Sequence, residues 1–380
     1  MEIDSLAQFI RQIKEMVGCE DGSVRFYRGQ PLDKDLVPNT FRKQCFINNE
    51  SEMYNEIVNK KPEEFSSSKC TFDHLVKMQH YYIPTRLLDI TTNPMVALYF
   101  ACCEVPKDGT DEHKPIVYCI DIPTNLMKNY NSDSVTILSS LARYDKDSKE
   151  KLLHHVEFLN RIRNAFIKTI INLNSKDLNY SINVALKSEN LDGKLLDLLE
   201  KVKGNLLLDD LLVSFKGTVS QWIKLNVSDV DLGIVLQKIL KRIGEKSVFA
   251  RANKFLKKDI KLLLENDYTH IIDDRLLHEI RQDKPYFQDL MHIDTFNTIY
   301  CVKPRLDNPR IIRQNGAFLI FPHARARLEN NLTITKILID KSKISSIVDE
   351  LSVVDVNKES LFNDMDTVCL AIKGKYENTK

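Results

Sequence analysis

The stretch Met78–Cys103, MQHYYIPTRLLDITTNPMVALYFACC, threads more charge through apolar sequence than any other part of the chain. Pro84 biases Ile83 towards an extended backbone. Thr85-Arg86-Leu87-Leu88-Asp89 then sets two opposite charges among core-type residues. Thr91 or Thr92 with Asn93 supplies a helix N-cap, and Pro94 suits the first helical position. The helix that follows, PMVALYFACC, is apolar nearly all round, which predicts burial. A buried helix N-terminus carries unsatisfied N–H groups and favours anions. His80, Thr85, Arg86, Asp89 and Thr92 therefore either surround a phosphate-bearing ligand or form an internal network that pins loop to helix.

Short β-branched or aromatic runs bounded by Gly, Pro, Asn or Asp lie on both sides of this stretch. SVRFYRG and PIVYCIDIP are found before the middle of the chain, FNTIYCVKP, GAFLIFP and TKILID near its end. Between them the chain holds no proline from Pro123 to Pro285. Segments such as KEKLLHHVEFLNRIRNAFIKTIINL and KKDIKLLLEND carry apolar residues at three- and four-residue spacing, which predicts helices. The expected fold class is α+β: a mixed β-sheet formed by the N- and C-terminal portions with a large helical insertion. The corresponding divisions are residues 1–139, 140–290 and 291–380. An amphipathic first helix places Leu6, Phe9, Ile10 and Ile13 on one face, with Asp4 or Ser5 as its cap. Lys341–Leu351 reads as a short helix, and ESLFNDMDTVCLAI as a turn and a last helix.

In Val24–Gln30, strand alternation puts Val24, Phe26 and Arg28 on one face, with Arg25 and Tyr27 on the other. An arginine on a core-facing phase must be paired or must line a cleft. Arg28 therefore either grips a phosphate or carboxylate or forms a salt bridge, with Asp89 the obvious partner. Gly29 beside it lets a backbone or ligand approach closely. In RIIRQNGAFLIFP (Arg310–Pro322), Arg310 and Gln314 can face a pocket, while Asn315-Gly316 reads as a tight turn.

The 380 residues are 43% hydrophobic and 28% charged, enough for a core that needs no staples. Lys+Arg 54 against Asp+Glu 53 gives a net charge of +1, so a nucleic-acid surface, which is not excluded, would have to be a local patch. The eight cysteines form no CxxC and have no His at zinc-ligand spacing, so no metal is expected and the thiols read as buried and reduced. The first residues, MEIDSLAQFIRQIKEM, lack the apolar core of a signal peptide, and no run approaches the ~20 apolar residues of a membrane span. The expectation is a soluble, cytoplasmic protein. Walker-A, GxGxxG and HExxH patterns are absent from the sequence.

FYRGQ, QHYYIPTRLLDITTNPMVALYFA, DKPYF, RIIRQNGAFLIFP and LFNDMDTV together resemble the landmarks of the FRG domain family. The resemblance runs along nearly the whole chain and is weakest between about Leu141 and Asp283. The family occurs widely in bacteria and phages, often in defence contexts, which implies a place in antiviral defence. Strand–Tyr27-Arg28-Gly29 also resembles the first motif of Arg-type ADP-ribosyltransferases, where an Arg on a split sheet grips the phosphates of NAD. A Ser-Thr-Ser strand and a catalytic Glu of those enzymes have no counterpart at a matching position. The resemblance implies a nucleotide- or NAD-binding enzyme with NAD as substrate rather than cofactor. Arg28, His80 and Asp89 would be its catalytic groups, and Tyr27, Gly29, Thr85, Arg86, Thr92 and Gln314 its ligand contacts. The alternative is a sensing module that binds a ligand or nucleic acid and offers its helical region to a protein partner.

Overall fold

The fold was obtained as a computed structural model. The structure describes residues 2–16, 22–103, 115–154, 156–157, 268–270, 274–330, 332–362, 369, 373 and 376. The strands are β1 (Glu2–Ile3), β2 (Ser23–Gln30), β3 (Leu87–Thr91), β4 (Ile116–Pro123), β5 (Met127–Asn129), β6 (Tyr268–His270), β7 (Leu290–His292), β8 (Tyr300–Lys303), β9 (Gly316–Ile320) and β10 (Thr333–Ile339). The helices used below are α1 (Leu6–Glu15), α2 (Glu50–Lys60), α3 (Thr71–His80), α4 (Pro94–Cys102), α5 (Asp133–Ser140), α6 (Pro309–Arg313), α7 (Ile344–Val353) and α8 (Lys358–Phe362).

The chain divides into two compact units, Met1–Lys146 with Thr298–Lys380, and Asp147–Asn297. In the second unit β6 and β7 pair antiparallel, and a helix over Asp274–Asp283 buries Leu276, Leu277 and Ile280. Of the expected helices of the middle region, Lys149–Leu173 is helical at 149–154 and 156–157, and the rest of it and all of 257–267 lie outside the described residues.

The first unit is built on an eight-stranded sheet of order β1-β10-β4-β2-β3-β9-β8-β5. Its strands come from the N- and C-terminal portions, and it mixes antiparallel ladders with two parallel ones, β1–β10 and β5–β8. The fold is therefore α+β. Alternation sends Phe26, Leu88, Ile90, Tyr118 and Ile120 to one face, where Leu36 and Leu328 close the core. Tyr27, Val117, Cys119 and Ile337 go to the other face, against Phe9 of α1, Val96–Leu98 of α4 and Ile347 of α7. Each such fully buried side chain contributes roughly 1.5–3 kcal/mol. On β2 and β4, the facing residues Arg25 and Asp121 add a bidentate pair at 2.6 and 2.7 Å.

Ser5 caps α1, its hydroxyl accepting from Gln8 N–H. Asn93 caps α4 by accepting from Met95 N–H at 2.9 Å, and Pro94 occupies the first turn. Val96, Ala97, Leu98 and Ala101 are 0–1% exposed, as the all-apolar sequence of α4 requires. Lys358–Phe362 is a helical turn rather than the open turn expected there. The described cysteines are all free, as expected, but only some are buried. Cys102, Cys119 and Cys301 are buried, and burial pushes each thiol up to about 12. Cys45 and Cys369 are exposed.

Among the described residues no helix is long and apolar enough to cross a membrane, and no group of three metal-ligating side chains converges.

Candidate functional site

The sheet comes close to splitting between β2 and β3. These two strands share a single registered pair, Tyr27 with Thr91, whereas β2 pairs with β4 over its full length and β3 with β9 over all five residues. Beyond Tyr27 the two strands part, and a cleft of about 400 Å³ opens there. Arg28, Gly29 and Gln30 form one wall and Asp89, Ile90 and Thr91 the other.

Arg28 spans the gap. Its Nη1 donates to the Asp89 carbonyl at 2.6 Å and lies 3.8 Å from the Asp89 carboxylate. Gln30, with its amide oriented to satisfy both ends, accepts from Arg28 Nε at 3.2 Å and donates to the Leu32 and Lys34 carbonyls. Nη2 of Arg28 has no hydrogen-bond partner among the described residues. The side chain keeps 22% of its surface open. Burial lowers the pKa of Arg28, Asp89 opposes that and Arg42 adds to it. A guanidinium nevertheless stays charged. Arg28 is thus paired in part, with one donor left for something else.

Asp89 is held from behind. Its carboxylate accepts from Gln79 Nε2 at 2.6 Å, and the Gln79 carbonyl oxygen accepts from the Thr85 hydroxyl. His80, the last residue of α3, lines the same cleft. Asn308 Oδ1 accepts from Arg310 N–H at 2.9 Å, so its Nδ2 faces His80 Nδ1, also at 2.9 Å, and donates to it. The ring proton of His80 therefore resides on Nε2. Burial and the Arg310 charge lower the pKa of His80, and Asp89 offsets them only in part.

Several lining residues were not singled out by pattern: Lys34, Asn39 and Arg42, which follow β2 outside every quoted motif, and Gln79 of α3 and Phe100 of α4, which lie within the central motif. Arg310 and Gln314 come from the segment before β9. The lining holds four cationic side chains, Arg28, Lys34, Arg42 and Arg310, against one carboxylate, Asp89. Such an excess favours an anion.

Of the residues expected at the site, Tyr27, Arg28, Gly29, His80, Asp89 and Gln314 line the cleft, and Thr85, Arg86 and Thr92 do not. Arg86 is 1% exposed and forms a bidentate pair with Glu50 of α2, at 2.9 and 2.6 Å. Its Nη1 donates to the Phe321 and Pro322 carbonyls at 3.2 and 3.1 Å. Every face of that guanidinium is occupied by protein, so Arg86 is a structural residue and not a ligand contact. Thr85 acts through Gln79. Thr92 is exposed, while Thr91 is the threonine on the cleft wall, its hydroxyl donating to the Gln314 carbonyl at 2.6 Å. Gly29 has its own explanation. A Cβ there would sit 1.8 Å from the Ala97 carbonyl oxygen, so the missing side chain makes room for α4.

Residues 23–110 match the family model described as FRG domain. The chain carries an FRG domain. No curated protein and no solved structure matches the chain. The resemblance expected along nearly the whole chain is thus shown for residues 23–110. The FRG match spans β2, α3, β3 and α4, and so supplies Arg28, Arg42, Gln79, His80 and Asp89. Arg310 and Gln314, which complete the cleft, lie outside it.

Proposed function

We propose that the cleft binds a phosphate-bearing nucleotide, with Arg28 as its main anion contact. The observation that carries this reading is the open Nη2 of Arg28 in a cleft whose cations outnumber its one carboxylate four to one. A guanidinium donor on a low-dielectric wall is suited to a phosphate oxygen. Val96, Phe100 and Ile311 give the same cleft an apolar side that a base can cover.

The finer reading is processing of a dinucleotide such as NAD. In hydrolysis the ribose–nicotinamide C–N bond breaks, and nicotinamide leaves with the bonding pair as a neutral molecule. Water adds to the ribose carbon and loses a proton. The Asp89 carboxylate is the lining group able to take it, while His80, with its proton on Nε2 and Nδ1 accepting from Asn308, can donate a hydrogen bond. Consuming or sensing a nucleotide would also serve the defence role that the family resemblance implies. Binding without turnover has its own support: Gln79 and Arg28 already engage the lone carboxylate of the cleft.

The test is direct. Purified protein is titrated with AMP and ADP-ribose, and incubated with NAD while free nicotinamide is followed. Arg28→Gln should abolish binding while leaving the urea midpoint close to wild type, because the native bonds of Arg28 lie at a partly open surface. Binding with no nicotinamide release leaves the sensor. No binding of either nucleotide, or a midpoint collapse in R28Q, overturns the reading.

A further inference from the structure

Arg28 on β2, with Lys34 and Arg42 from the loop after it, lines the cleft from the β2 side, while Arg310, from the segment before β9, and His80, at the end of α3, line it from elements on the β3 side. Arg42 acts on Arg28, lowering its pKa, and Arg310 acts in the same sense on His80. Asp89 acts on both Arg28 and His80, and opposes the neighbouring cation in each case.

The group on the β3 side is built around Arg310. Its guanidinium lies 4.5 Å over the ring of Phe362. Phe362 in turn meets Phe100 edge-on at 5.9 Å between centroids. The position of α8 behind Arg310 is fixed by Gln314 Nε2, which donates to the Leu361 carbonyl at 3.2 Å, and by Arg313, which donates to the Ser360 carbonyl at 3.1 Å. Asn308 ties the backbone of Arg310 to His80. The Arg310 side chain itself makes no hydrogen bond and no ion pair among the described residues. A cation stacked on an aromatic ring, with its donors unspent, is prepared for a planar or tetrahedral anion. Its neighbour adds a neutral ring with the proton on Nε2.

We propose that the ligand carries two anionic groups, one bound by Arg28 with Arg42 and the second by Arg310 with His80. This deepens the nucleotide reading and rests on it. It names the ligand class as a nucleoside diphosphate or a pyrophosphate-linked dinucleotide rather than a monophosphate. It also makes Arg310, from outside the FRG match, the residue that discriminates between them.

The experiment is isothermal titration of the full chain with AMP and with ADP, in wild type and Arg310→Gln. Wild type should bind ADP about tenfold more tightly than AMP, the worth of one added charge-assisted contact. R310Q should lose that preference and keep the AMP affinity of wild type, with an unchanged urea midpoint as the check on folding. Arg310→Lys, which keeps the charge without the fork, should retain part of the preference. Equal affinities in wild type, or an equal loss for both ligands in R310Q, would overturn the two-subsite proposal and leave the nucleotide site standing. No binding of either ligand to wild type would overturn both.

Discussion

Replacing Arg86 by methionine separates the structural arginine from the ligand-facing one. The change removes two short bonds to Glu50, at 2.9 and 2.6 Å, and two to the Phe321 and Pro322 carbonyls. Glu50 is only 5% exposed, so its carboxylate loses its bidentate cation in a dry site. Breaking a buried pair from one side costs about 3–5 kcal/mol. The two carbonyls add roughly 1 kcal/mol each where no water reaches them. The expected loss is therefore about 5–7 kcal/mol, a large part of the ~5–15 kcal/mol that holds a domain together. Urea denaturation followed by circular dichroism measures it. The partner change supplies the control. Glu50→Leu together with Arg86→Met removes both charges, and should regain all but the ~2 kcal/mol of the two carbonyls. At temperatures where Arg86→Met stays folded, its AMP affinity should equal that of wild type. A stability loss below about 1 kcal/mol, or a double variant no better than the single one, would refute a buried structural pair.

Two further predictions concern the walls of the cleft. Gly29→Ala places a Cβ 1.8 Å from the Ala97 carbonyl oxygen and 2.7 Å from the Ala101 nitrogen, both backbone atoms of α4. The helix must retreat by more than an ångström from its contact with β2, so a loss of about 3 kcal/mol or more is expected in urea; a midpoint equal to wild type would contradict it. His80 has a folded pKa below the usual 6.5, so as pH falls through 6.5 the unfolded chain takes up the proton first. Its neutral form is therefore a source of lost stability below pH 6.5 and of none above it. The stability advantage of wild type over His80→Gln should be level at higher pH and shrink below 6.5, and parallel urea-midpoint curves through that window would rule this out.

The sheet was legible wherever alternation or β-branching is strong. SVRFYRG, PIVYCIDIP, GAFLIFP and TKILID became β2, β4, β9 and β10. The strand that matters most for the cleft, β3, carried no such signal. Leu87-Leu88-Asp89-Ile90-Thr91 is buried at four of its five positions because both of its faces are covered. A strand covered on both sides loses its two-residue period. Arg86 and Asp89 within a few positions of Pro84 drew attention to charge among core residues, and no strand was expected there. Lys34 and Arg42 could not be found by pattern either. They lie in a segment without strand or long-helix periodicity, and only the fold brings them into the cleft that Asp89 also lines.

Arg28 and Arg86 show where the reading of a charge from sequence stops. Each sits among apolar residues in a stretch shared with the family motifs, and each demands a partner for the same physical reason. The sequence states the demand without saying who meets it. For Arg86 the answer is Glu50, 36 positions earlier on a helix that belongs to no motif, and it satisfies the guanidinium together with two carbonyls. For Arg28 the expected partner, Asp89, is present, but its carboxylate stands at 3.8 Å and is shared with Gln79. A fully buried carboxylate at bonding distance makes an arginine part of the scaffold. A half-exposed one at 3.8 Å, already held by a second donor, leaves the arginine short of one partner. That deficit, located where β2 and β3 part, is what a ligand phosphate would fill.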